Sequence, residues 1–266
     1  MSGMKFDIDT YKRRTARLDD HDIDFDAFRR DPLDETTLRC LRYMHDVELH
    51  TVCYLRDLLV TRAHRDPEIT TFLTFWAYEE YWHGEAIGKV LSAHGEISGR
   101  TRVAATRARH RVSAALSPHV SALASAVTKH FTAVHMTWGA VNEWTTQAGY
   151  TRLAQRAQHP TLTGLLERIM RQEGRHIDFY ASQAAERLDA SVAAQRLTRF
   201  ALTQLWAPVG SGVMPPSEVG HLVRSLFDDE SGRRIATRID QRIDRLPGLG
   251  GLNLISGSID RYATAA

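Results

Sequence analysis

Apolar residues recur at spacings of three and four along most of this chain, and four long stretches carry that helical period clearly. The first opens after Asp34, a side chain suited to an N-cap, and continues to about Arg65 through Leu41, Met44, Leu55 and Leu59. Asp66-Pro67 stops it. The second runs from Pro67 to His94 through Leu73, Trp76, Ile87 and Leu91, with Gly95 as its terminator. Ser117-Pro118 reads as an N-cap followed by proline at the first helical position, which predicts a third helix to about Gln158. His159-Pro160 breaks the chain again, and a fourth helix is expected from Thr161 to Leu188 through Leu162, Leu166, Ile169 and Tyr180. Two antiparallel helical hairpins follow, joined by a polar, basic connection over residues 95–117 that the pattern allows to be partly helical.

Each hairpin carries acids and imidazoles on a face that is otherwise apolar. Glu48 interrupts the first stripe, Glu80 and His83 the second, Glu143 the third, and Glu173 and His176 the fourth. Residues i and i+3 share a helix face, so each Glu-x-x-His delivers a carboxylate and an imidazole to one point. The halves repeat in register: Glu48 lies 19 residues before Pro67 and Glu80 13 after it, while Glu143 lies 17 before Pro160 and Glu173 13 after. At about 1.5 Å per residue, the members of each pair are close enough in depth to meet across their hairpin.

Four carboxylates and two histidines form a donor set suited to two iron ions, with manganese as the alternative; zinc more often takes a smaller set rich in His or Cys. Ionised together in an apolar bundle, the carboxylates would repel unless cations neutralised them, so metal removal is expected to raise their pKa values and loosen the core. Roughly 0.6 Glu-x-x-His matches are expected by chance in a chain of this composition. Three occur. The third, Glu218 with His221, follows Pro216 and Ser217 and has no partner glutamate, so Glu218 is read as complementing a helix dipole.

Beyond the fourth helix, a fifth is predicted through Val192, Leu197, Phe200 and Leu205, then the loop PVGSGVMPPS and two shorter amphipathic stretches at about 217–228 and 229–245. None of these carries candidate chemistry. The glycine-rich tail from Pro247 to Gly257 is not placed by the pattern, and a phosphate-loop reading of its GLGG is poor because no strand precedes it. Residues 1–33 read as an irregular or partly helical, charged lead-in.

Composition narrows the function classes. With 266 residues and 43% hydrophobic side chains the chain reads as one globular domain, 1–266, with the ligand-bearing bundle at about 35–190 and a C-terminal helical extension at about 191–266. A formal charge of +2 gives no general support to nucleic-acid binding. Cys40 and Cys53 fall on opposite sides of one predicted helix, which excludes a disulfide framework and makes a reducing cytoplasm the expected location. The N-terminus lacks a signal-like apolar run, and no window approaches a membrane span, so no stable membrane anchor is expected.

FWAYEEYWHGEAIGKVL (75–91), VNEWTTQAGYTRLA (141–154) and RQEGRHIDFY (171–180) are similar to ligand helices of the soluble acyl-carrier-protein desaturases, within the ferritin-like di-iron superfamily. The resemblance covers about residues 35–190. It implies an all-α fold, a ferritin-like four-helix bundle with additional C-terminal helices. It also implies iron ligation by Glu48, Glu80, His83, Glu143, Glu173 and His176, and gives Thr146 the place of an active-site threonine that handles protons. Gln172 departs from the pattern, standing where the family usually has an Asp that orients a histidine. The implied activity is O2-dependent desaturation of an activated acyl chain, with a ferredoxin-like electron donor, an acyl carrier protein or other acyl carrier as partner, and a homodimer as the assembly. The alternatives are a di-iron oxygenase acting on a specialised metabolite by hydroxylation or N-oxygenation, and a non-catalytic ferritin-like iron-binding protein.

Several further residues have a plainer explanation beside the functional one. Met44, Trp76, Met136, Ile169 and Tyr180 are candidates to line a channel, yet that spacing is more often simple core. Gly139 and Ala140 fit close helix packing better than a channel. Arg100, Arg102, Arg107, Arg109 and Arg111 form a dense positive run that is read first as a solvated connector and second as a docking site for an acidic carrier. His45, three residues before Glu48, is read as structural.

Overall fold

The chain is all-α in the computed structural model, which describes residues 6–264. In chain order the helices are α1 (Ile8–Arg14), α2 (Ala27–Arg30), α3 (Glu35–Glu48), α4 (Thr51–Leu59), α5 (Pro67–Ala93), α6 (Gly99–Arg109), α7 (Arg111–Val127), α8 (Phe131–Ala157), α9 (Pro160–Asp189), α10 (Val192–Leu205), α11 (Pro216–Phe227), α12 (Glu230–Asp244) and α13 (Leu254–Thr264), with a 3-10 turn at Arg62–Arg65. None of the helices described is long and apolar enough to cross a membrane.

Helices α3, α5, α8 and α9 pack on one another as the central bundle. Their ends follow the expected punctuation. The Asp34 side chain accepts from Thr37 N, and the Asp66 side chain accepts from Glu68 N and Ile69 N ahead of Pro67; an N-cap of this kind contributes about 1 kcal/mol. Between α8 and α9, Gln158 turns the chain in a left-handed conformation (φ 49°) and His159 caps α9 in front of Pro160.

Three boundaries differ from the sequence expectation. The predicted helix from Asp34 to Arg65 is two helices, because the chain turns at Leu49 and His50 directly after Glu48. Proline 118 lies inside α7 rather than at its start. The predicted long third helix is likewise divided, at Thr128–His130, between α7 and α8. The connection at 95–117 is mostly helical, and the tail that the sequence left unplaced ends in α13. Both cysteines are free, Cys40 buried and Cys53 half-buried.

The C-terminal helices close over the bundle instead of trailing from it. Arg152 on α8 donates to the Leu226 carbonyl, and Arg39 on α3 grips Glu218 through two bonds of 2.7 and 2.8 Å. Glu218 therefore stands in the first turn of α11, tied to arginine, as its sequence context predicts. In the loop before α11, Gly210 has φ +89° and a Cβ there would press on Tyr43, whose hydroxyl donates to the neighbouring Val209 carbonyl. Only glycine meets both conditions.

Candidate metal centre

All six predicted ligands are buried at the middle of the bundle. Their donor atoms form two overlapping quartets, Glu48, Glu80, His83 and Glu173 in one and Glu80, Glu143, Glu173 and His176 in the other, each with all its atoms within 4.8 Å of one another. Glu80 and Glu173 belong to both. The arrangement is therefore not one Glu-x-x-His motif per ion. The glutamates of the two motifs stand between the sites, while Glu48 with His83 and Glu143 with His176 stand at the two ends.

Local sequence explains how four helices bring acids this close. Gly84, one turn beyond Glu80, lets α3 lie against α5: a Cβ at Gly84 would stand 2.6 Å from Leu49 Cγ and 3.2 Å from Glu48 Cβ. Gly139, one turn before Glu143, lies directly against the Tyr180 ring, so the close-packing reading of that glycine holds. Around these contacts the core is aromatic, with Phe72 stacked on Phe179 at 3.8 Å between centroids and Tyr180 edge-on to Phe72 and Trp76.

Both imidazoles turn Nδ1 inward and Nε2 outward. His83 Nδ1 is 3.3 Å from Glu173 Oε1, and His176 Nδ1 is 3.0 Å from Glu80 Oε1 and 3.1 Å from Glu173 Oε2. On the outer side, His83 Nε2 lies 2.8 Å from Gln172 Oε1 and His176 Nε2 lies 2.8 Å from Glu79 Oε2. The residue before each shared glutamate thus holds the histidine of the other motif. Gln172 Nε2 donates to the Ala16 carbonyl at 3.0 Å, which leaves Oε1 as the acceptor for His83 and fixes the proton on Nε2. A neutral imidazole in that tautomer presents its Nδ1 lone pair to the centre.

The outer layer also includes groups that the sequence did not single out. Tyr11 on α1 donates to Glu79 Oε2 at 3.0 Å, and Arg175 donates to Glu79 Oε1 at 2.5 Å. The lead-in, read as irregular or partly helical, thus supplies Tyr11 and the Ala16 carbonyl; its first five residues lie outside those described. The end carboxylates are matched as well: Trp76 Nε1 donates to Glu143 Oε1 at 3.0 Å and the Tyr150 hydroxyl donates to Glu48 Oε1. Glu79 was visible as the acid next to Glu80, but nothing local marks Tyr11, because its role depends on how α1 docks. His45 stays outside the centre, holding Asp46 and the backbone of Gly99.

Electrostatics separates the carboxylates. Burial, reinforced by Glu48 and Glu173, pushes the Glu80 carboxyl well above the usual range, and burial with Glu173 does the same to Glu143. Burial also opposes ionisation of Glu173, but hydrogen bonds from His176 and His83 outweigh it and hold that carboxyl well below its ordinary value. Burial alone would lower both histidines; Glu173 and Glu48 raise His83 instead, and Tyr11 with Glu173, Glu79 and Glu80 raises His176. Protons thus balance the acids in the metal-free protein. Glu80 Oε1, His83 Nδ1 and Glu173 Oε1 nevertheless have no well-formed hydrogen bond despite complete burial. Leaving such atoms unsatisfied costs about 1–3 kcal/mol each, whereas a shared divalent cation would satisfy them together. The donor set fits metal on this ground: these buried Glu and His clusters are within ligand distance of a common ion.

Beside the centre lies a cavity of about 390 Å³ with Glu48, Glu80 and Glu143 on its wall. The size is at the lower end of small-ligand pockets. Thr146, one turn past Glu143, lines it, as do Met44 and Trp76; Met136, Ile169 and Tyr180 are fully buried and lie outside the lining. The C-terminal extension, in which the sequence showed no chemistry, contributes Trp206, Val223, Phe227 and Ile259 to the same wall. Helix α7 adds Ser113, Ala114 and Ser117. Searches against known proteins found no family model, no curated protein and no solved structure that matches the chain.

Proposed function

We propose that this protein is an O2-dependent di-iron oxidoreductase of the acyl-desaturase kind, introducing a double bond into an activated fatty acyl chain. One observation carries the reading: two buried Glu/His quartets sharing Glu80 and Glu173 lie beside a largely apolar cavity, whose wall includes Glu48, Glu80 and Glu143. Glu80 and Glu173 would hold both ions, Glu48 and His83 one, and Glu143 and His176 the other. When bound, the iron pair supplies O2 reduction, the part of the chemistry that amino-acid side chains do not provide.

The remaining work falls to the protein. Gln172 and Glu79 keep both imidazoles aimed inward. The apolar wall places one methylene pair near the centre and keeps water from it. Thr146 offers a hydroxyl on the cavity side of Glu143, positioned to hold a proton. His176, Glu79 and Arg175 form a polar sequence from the centre to a side chain that is 26% exposed, a route by which charge is balanced as electrons enter. The overall reaction takes two hydrogens from the chain and combines O2, two electrons and two protons with them to give two waters. A ferredoxin-like donor would supply the electrons, and an acyl carrier protein or other acyl carrier the substrate.

The test is to load the protein with Fe(II), add reductase and ferredoxin, and follow acyl substrates by mass spectrometry. Loss of two hydrogens supports desaturation. Gain of one oxygen assigns the protein to hydroxylation or N-oxygenation instead, and absence of substrate-dependent O2 use leaves iron binding without catalysis.

A further inference from the structure

Helix α7 is amphipathic in the wrong sense for a helix that covers a cavity. Its small residues Ala114, Ser117, Ser121 and Ser125 face inward, and Ser125 receives the backbone and side chain of Arg62. Its large apolar residues face out: Val112 is 75% exposed, Leu116 57%, Val120 65%, Leu123 67% and Val127 79%. At about 100° per residue these five fall within one narrow stripe that runs the length of the helix, roughly 25 Å. Helix α4, which packs against α7, exposes Val52 and Leu59, and Val60 directly after it is exposed as well.

The surroundings carry one sign of charge. From Ile97 to Asn142 the chain has five arginines and one lysine and neither Asp nor Glu, although the whole chain holds 32 acids. Arg100, Arg107, Arg109, Arg111 and Lys129 are exposed, while Arg102 is paired with Asp46 of α3. The neighbouring segment from Thr51 to Arg65 adds Arg56, Arg62 and Arg65, and its one acid, Asp57, is occupied by Arg56 and Ser117.

We propose that this face, α7 with α4 and the flanking arginines of α6, docks the protein on an anionic lipid surface. An exposed apolar stripe beside unanswered cations matches a lipid interface, where acyl chains accept the stripe and phosphates accept the arginines. A second copy of the chain would set the same cations against each other with no acids to answer them. An acidic carrier protein would satisfy the arginines but leave Val112, Leu116, Val120, Leu123 and Val127 without an apolar counterpart. Attachment is peripheral, since no described helix spans a membrane. Ser113, Ala114 and Ser117 of the docking helix also wall the cavity, so a chain drawn from the lipid would pass this one helix. That entry rests on the acyl-oxidation reading; docking does not.

Co-sedimentation of the full chain as purified, without reductant or electron donor, with phosphatidylcholine vesicles containing phosphatidylglycerol tests docking separately from catalysis. Binding is expected at low salt to the mixed vesicles and not to phosphatidylcholine alone. The pair Leu116→Asp and Leu123→Asp, and separately the triple Arg107→Gln, Arg109→Gln and Arg111→Gln, should each weaken it by at least about tenfold, with circular dichroism and iron uptake unchanged. The arginine set retains the test where an aspartate disturbs α7. Absence of binding to the mixed vesicles, or binding by both variant sets equal to that of the wild type, overturns the proposal. So does a solution dimer dissolved by Leu116→Asp without vesicle binding, or an acidic carrier protein lost by the arginine set while vesicle binding persists.

Discussion

Gln172 holds His83 through its amide oxygen at 2.8 Å, while the equivalent position on the other side of the centre, Glu79, holds His176 through a carboxylate at the same distance. The two histidines therefore sit in unequal electrostatic settings, one behind a neutral amide and one behind an acid paired with Arg175. Gln172 makes its contact without charge.

This asymmetry predicts a graded response to mutation. Gln172→Ala should weaken metal binding by about 10–100-fold, the usual effect of removing a partner that orients a ligand. Gln172→Glu should retain or strengthen it by placing a carboxylate behind His83. Competition against a chelator measures both, and equal affinity in wild type and Gln172→Ala would show that His83 is oriented by something else.

The shared and end carboxylates should differ in stoichiometry. On the proposed di-iron reading, Glu48→Ala or Glu143→Ala is expected to reduce iron from about two per chain toward one, because each touches only one quartet. Glu80→Ala or Glu173→Ala should cost both ions. Elemental analysis after desalting distinguishes these outcomes, and two irons retained in Glu173→Ala would refute the shared role.

At Gly139 a methyl group has no room beside the Tyr180 ring, which is buried and flanked by Phe72 and Trp76. Gly139→Ala should therefore destabilise the fold by about 1–3 kcal/mol, the range for overpacking a tight core. Gly164→Ala, with open space around its Cβ, is the control and should be neutral or slightly stabilising. Urea denaturation of the two variants provides the comparison.

Buried His135 sets an acid limit on stability. Burial lowers its pKa from 6.5 to about 3, so the folded protein keeps it neutral while the unfolded chain takes up a proton. The sign follows directly: the stabilisation is complete above 6.5 and is lost as pH falls from 6.5 toward 3. Urea midpoints measured across that window should fall less steeply in His135→Gln than in wild type. Parallel slopes would remove His135 as a cause.

Much of the fold was legible because its signals are local. Asp34, Asp66-Pro67 and His159-Pro160 act through bonds to neighbouring backbone, so the starts of α3, α5 and α9 follow from adjacent residues. The break after Glu48 did not follow, since Leu49 and His50 contain neither proline nor glycine and the apolar period continues through them. Pro118 misled for the opposite reason: it is a strong local signal, yet α7 begins at Arg111, about two turns upstream of it.

The sequence alone determined the six candidate ligands, because a polar side chain on an apolar helical face is conspicuous and its i, i+3 spacing fixes which face it shares. Tertiary structure decided how those residues divide. Sharing of Glu80 and Glu173 depends on the approach of α5 to α9, which no single segment encodes. The same holds for Tyr11, Trp76 and Tyr150 in the outer layer and for the C-terminal wall of the cavity. Each is a contact between residues distant in sequence, and such contacts are set by the packing of whole helices.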